Sequence, residues 1–184
     1  MNLLITKNDL IEHCGLSENT NDVKVNIAIQ QAHNKLQSIL CRDYYNELKT
    51  QFLDGSLTAE NQTFLDDYVK FFLVWEAYAS FCIVGTFAQT KAGFRQHTDE
   101  NSTPVDNQRI DMIRNNAKEQ SMFWHGEMMH FLMDNINDYA TYKASDCYDC
   151  KEKKLPNFGI SGAGKKRGEY SPTYFLNNDP NCCN

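Results

Sequence analysis

The stretch FFLVWEAYASFCIVGTFA, Phe71 to Ala88, decides the fold. Its length and its single charge, Glu76, require that a membrane span be weighed first. An acid near the centre of such a span would cost roughly 2.5 to 3.5 kcal/mol. Tyr78 and Ser80 add polarity, and neither a second span nor a Lys/Arg-rich flank accompanies the run. The better reading is a helix buried on most sides within a bundle or an oligomer, with no membrane involved.

Outward from that run, Thr58 reads as the cap of a long helix reaching about Ala88. Phe64 or Leu65, Tyr68, Phe72, Trp75, Ala79 and Cys82 or Ile83 fall on one of its sides. Upstream, Thr6 and Asp9 form an imperfect capping box that starts a brief helix closed by Gly15. A second helix begins near Asn21, with Val23, Ile27, Ala32, Leu36 and Ile39 marking its buried face, and CRDYYNELKTQFLDG follows as a turn and a short aromatic helix ending near Gly55. Downstream, the polar QTKAGFRQHTDENSTPVD holds Gly93 and Pro104 and reads as a loop without strand periodicity. A last helix spans about Asp106 to Asp138, its stripe made by Ile110, Ile113, Ala117, Trp124, Met128 and Phe131. The predicted fold class is therefore all-α: a bundle of about three main helices plus short ones over residues 1–142, followed by an extended, irregular C-terminal arm over residues 143–184.

The arm is set apart by composition. Four of the nine glycines lie between Gly159 and Gly168, and three of the four prolines lie beyond residue 150, so the segment cannot bury enough apolar surface to order itself alone. Phe158, Ile160, Tyr170, Tyr174, Phe175 and Leu176 remain as spaced apolar anchors, and Lys165, Lys166 and Arg167 form a basic run among them. That is the composition of a strap that folds against a partner protein. Charge supports the same division: from residue 143 on there are seven Lys or Arg against five Asp or Glu, and before it 11 against 19. An acidic body argues against a protein that grips nucleic acid through a broad basic face, and it offers the basic arm an acidic surface on a neighbouring copy.

Four constellations invite chemistry. GISGAGKK, Gly159 to Lys166, matches the glycine and lysine spacing of a phosphate-binding loop, but Lys166 stands where a magnesium-holding hydroxyl is required, and no strand leads in and no helix leads out. Glu127 and His130 make one E-x-x-H pair, to which Glu76 could add a ligand; two-metal carboxylate bundles use that pair twice, so a metal-binding bundle or enzyme is the alternative reading. Cys147 and Cys150 form C-x-x-C, yet the adjacent Cys182 and Cys183 are a poor second half for a zinc site. The start MNLLITKNDL does not read as a leader, so the seven cysteines read as free thiols, with Cys82 a small core residue. Cofactors, catalytic residues and metal ligands are expected to be absent.

The order of features resembles a known family. LLITKNDL, NIAIQQAHNKLQSIL, CRDYYNEL, LTAENQTFLDDYVKFFLVWEAYASF, a polar loop and a long final helix together look like the head-tail connector, or adaptor, proteins of tailed bacteriophages, most like those of crAss-like phages, over residues 1 to 140. Many such connectors carry Leu-Gly before the tyrosines, where this chain has Leu40, Cys41 and Arg42. The resemblance implies a virion neck protein, not an enzyme, that forms a ring of about twelve copies. Such a ring docks below the portal protein, extends the DNA channel and meets the next tail or neck ring protein. DNA would pass its lumen without specific binding. The nine arm residues from Phe158 to Leu176 named above are the expected contacts with the portal or a neighbour.

Overall fold

The computed structural model describes residues 3–90, 93–96, 106–145 and 148. The fold is an all-α helical bundle, with one two-stranded hairpin added to it. Helix α1 spans Lys7–Cys14; Asp9 accepts hydrogen bonds from the Thr6 backbone N–H and hydroxyl, and Gly15 ends the helix at φ 66°, a conformation glycine adopts without strain. The Lys7 ammonium then reaches the Glu18 and Thr20 carbonyls and the Asp22 carboxylate, tying α1 to the start of the next helix.

That helix, α2 (Asp22–Leu40), is capped by the Asn21 side chain, which accepts from the Val23 and Lys24 amides. Its buried face is Val25, Ala28, Ile29, Ala32, His33, Leu36 and Leu40. The sequence stripe was therefore rotated: Ala32 and Leu36 are shared, but Val23 and Ile27 are 67% and 45% exposed. Both stripes keep helical spacing, and only the position of the facing helix chooses between them. Helix α3 (Arg42–Asp54) follows after one residue, Cys41, at φ 64° and ψ 154°. That is a region essentially reserved for glycine, so the turn keeps glycine geometry although it holds a cysteine. The helix ends at Gly55, also at positive φ.

Thr58 caps α4 (Ala59–Phe64) through the Asn61 amide, and the helix passes through a wide π-type turn, Leu65–Val69, into α5 (Lys70–Thr86). The turn inserts extra chain and resets the helical phase. Phe64, Leu65 and Val69 are buried before it ends, and Phe72, Leu73, Val74, Ala77 and Ala79 continue the core. Tyr68 and Trp75, expected on the inner stripe, are only half-buried, and Ile83 is exposed. Asp66 inside the turn is held by Gln62 and Lys70, each four residues away.

Beyond Thr86, strands β1 (Phe87–Thr90) and β2 (Gly93–Gln96) form an antiparallel hairpin pairing Phe87 with Gln96 and Thr90 with Gly93. This corrects two expectations: α5 stops before Phe87, and part of the polar loop is a short ladder. Four-residue strands give too little alternation to register as a strand pattern.

Helix α6 (Asn107–Asp134) is followed by a 3-10 turn (Ile136–Asp138) and the short α7 (Ala140–Lys143). The last helix thus ends at Asp134, four residues earlier than expected, and the side chain of the capping Asn135 donates to the Phe131 carbonyl. Side-chain pairing fixes the packing order. Lys24 with Gly85 and Lys35 with Glu76 set α2 antiparallel to α5, while Trp124 on Phe71 and Phe131 on Tyr68, each at 4.5 Å, set α6 antiparallel to α5. α5 is therefore the middle of a three-helix layer. At one end, Tyr44, Phe64, Phe131, Tyr139 and Tyr142 interlock, joining α3, α4, α6 and α7. Tyr148, assigned to the arm by composition, packs against Tyr142 and so belongs with this end of the body.

Candidate functional site

The acid that made the sequence ambiguous lies at the centre of the layer. The Glu76 carboxylate on α5 accepts from the Lys35 ammonium on α2 and the Ser121 hydroxyl on α6, both at 2.6 Å. Ser121 is 1% exposed, and the Glu76 side chain is 14% exposed. One carboxylate thus links all three main helices, and its pairing offsets part of the cost of placing an acid in an apolar run. Lys35 also lies 5.8 Å from the centre of the Phe72 ring, adding a cation–π contact.

A second polar pair sits between α2 and α3. His33 Nδ1 and the Tyr45 hydroxyl are 3.1 Å apart, and His33 is 1% exposed. Burial, reinforced by the nearby Lys49 charge, lowers the His33 pKa to about 4. Its Nε2 is buried without a hydrogen-bond partner among the described residues. In the aromatic cluster, the Tyr44 hydroxyl donates to Asn61 Oδ1, whose amide donates to Gln51, and the Tyr139 hydroxyl donates to the Glu60 carbonyl. Burial foremost pushes the Tyr44 phenol well above its ordinary range, and the Tyr139 phenol to about 12. These groups are neutral structural donors.

The metal alternative does not assemble. Glu76 is turned to Lys35 and Ser121, whereas Glu127 and His130 are exposed on the outer side of α6. Among the described residues, no three His, Cys, Asp or Glu side chains come together as metal ligands. The thiols of Cys14 and Cys82 are free, and burial, then the neighbouring Cys82, raises the Cys14 pKa to about 12, which suits an inert thiol. Cys41 departs from the free-thiol expectation, because it is disulfide-bonded. The phosphate-loop match, Cys147, Cys150, Cys182, Cys183 and the expected contacts Phe158, Ile160, Lys165, Lys166, Arg167, Tyr170, Tyr174, Phe175 and Leu176 lie outside the described residues.

What the body presents outward is apolar surface on both flanks of the layer. Val23 and Ile27 project from α2 one turn apart, and Met112 (71% exposed), Met122 and Phe123 (57%) project from α6. The sequence reading missed Lys35 and Ser121, because a bridge between helices far apart in the chain has no local pattern. It missed the outward role of Val23 and Ile27 because an apolar pair at i and i+4 signals a core face as readily as a contact face.

By length and composition, Ala59–Thr86 is a helix that could cross a membrane; 33% of its apolar window is buried within the subunit. A family described as being of unknown function, DUF6712, matches residues 36–152. No curated protein and no solved structure matches the chain.

Proposed function

The chain belongs to the DUF6712 family, and we propose that it is a non-enzymatic structural subunit of a bacteriophage head-to-tail connector ring. In this reading about twelve copies form a ring by head-to-tail packing. The ring docks below the portal, extends the DNA channel and bridges to the next neck or tail component in the virion. The observation that carries the reading is the apolar surface left over by the fold. The middle helix is apolar on nearly all sides yet only partly covered, and both flanking helices carry large apolar residues on their outer sides. A helix of that kind is covered by further protein. Unlike patches on the two flanks, Val23 and Ile27 on α2 and Met112 and Phe123 on α6, each meeting a different surface of a neighbour, suit heterologous contacts, the type that closes rings.

Charge supports the channel. The excess of acids in the body repels DNA phosphates, so a genome can pass without adhering. The arm residues Phe158 to Leu176 supply the contacts to the portal or to a neighbour. Negative-stain imaging of the purified full chain, alone and with a portal protein, tests the proposal: closed rings that stack on the portal are expected. A protein that stays monomeric at high concentration and ignores the portal would refute it.

A further inference from the structure

Met112, Glu119, Phe123 and His130 recur at i, i+7, i+11 and i+18 along α6, so they share one strip of that helix. The buried residues of α6, Ala117, Ser121, Met128 and Leu132, lie on its opposite side. Met112 and Phe123 stand about 16 Å apart along the axis as two exposed apolar projections. Glu119, Glu127 and Asp134 line the same side against Arg109. None of the three carboxylates has an ion pair or hydrogen bond among the described residues. The strip is therefore acidic, apolar at two points and unpartnered within its subunit.

The chain itself supplies a complementary occupant. Thirty-six residues follow Tyr148, enough to reach about 120 Å when extended, against about 42 Å for the length of α6. They depart beside Tyr142, at the aromatic end where Phe131 and Tyr139 hold the last turns of α6. Within them the cations Lys165, Lys166 and Arg167 are bracketed by Phe158 and Ile160 on one side and Tyr170 on the other. Cations against the three carboxylates and rings against Met112 and Phe123 would satisfy both properties of the strip together.

We propose that residues 149–184 of one copy dock along this outer strip of α6 on a second copy, clasping neighbours around the ring. The inference rests on the ring reading, because it requires a neighbour.

The test uses the full chain carrying a photo-crosslinking p-benzoylphenylalanine in place of Phe123, assembled from equal parts of ordinary and nitrogen-15-labelled protein. Mass spectrometry is expected to find position 123 joined to peptides from 149–184, with mixed-isotope pairs. Combined Glu119→Lys and Glu127→Lys substitutions should lower that yield several-fold, and Lys165→Glu with Lys166→Glu in the same chain should restore it. Assembled rings in which position 123 joins only its own copy, joins another helix instead, or joins nothing overturn this inference alone. A chain that size-exclusion chromatography finds monomeric at every concentration overturns the ring reading and this inference with it.

Discussion

His33 makes the fold measurably sensitive to acid. The unfolded chain takes up a proton on this imidazole near its ordinary value of 6.5, whereas the native state resists protonation until about pH 4, because the ring is buried and faces Lys49. Above pH 7 the imidazole is neutral in both states and contributes nothing. As pH falls from 6.5 toward 4, the unfolded state binds more proton than the native state, and stability declines. At pH 4.5 the loss comes to about 2.5 kcal/mol, a large share of the stability of a domain this size. Urea unfolding followed by circular dichroism at several pH values from 7.5 to 4.5 measures it, with His33→Gln as the non-titrating reference. Carboxylates titrate in both proteins and cancel in the difference, so the stability gap between wild type and variant should shift by about 2.5 kcal/mol across that range. A gap that stays constant with pH would refute the argument.

Other substitutions probe the remaining polar links. Glu76→Ala strands the buried Ser121 hydroxyl and frees Lys35, and should cost about 2 kcal/mol in urea melts; a loss below about 0.5 kcal/mol would show that the bridge does not hold the layer together. Tyr44→Phe leaves Asn61 Oδ1 without its buried donor and should cost about 1 kcal/mol, with an unchanged melting midpoint as the contrary outcome. With the disulfide reduced, Cys41→Gly should stabilise the chain by about 1 kcal/mol by relieving the positive φ, and a neutral or destabilising result would remove strain from the account of that turn. Deleting residues 151–184, which keeps Tyr148, should leave the far-ultraviolet dichroism intact while ring assembly on a portal fails; normal assembly of the shortened chain would count against the arm.

Much of the architecture could be read along the chain because its causes are local. Thr6 with Asp9, Asn21 and Thr58 announce helix starts, and Gly15 and Gly55 announce ends, since capping involves residues within one turn of each other. The apolar run from Phe71 likewise identified the middle helix. Facing and phase were not local. The inner side of α2 is chosen by α5, the π-type turn at Leu65–Val69 shifts the register of every residue after it, and the hairpin after Thr86 depends on pairing across the ladder. The candidate surface divides in the same way. Residue order alone indicated an acidic body and a basic, aromatic C-terminal segment, because charge and composition need no folding to be counted. That Glu76 would be bound by Lys35 and Ser121 rather than join His130 was decided only when α2, α5 and α6 packed, since electrostatic partners are set by distances of a few ångströms between segments dozens of residues apart.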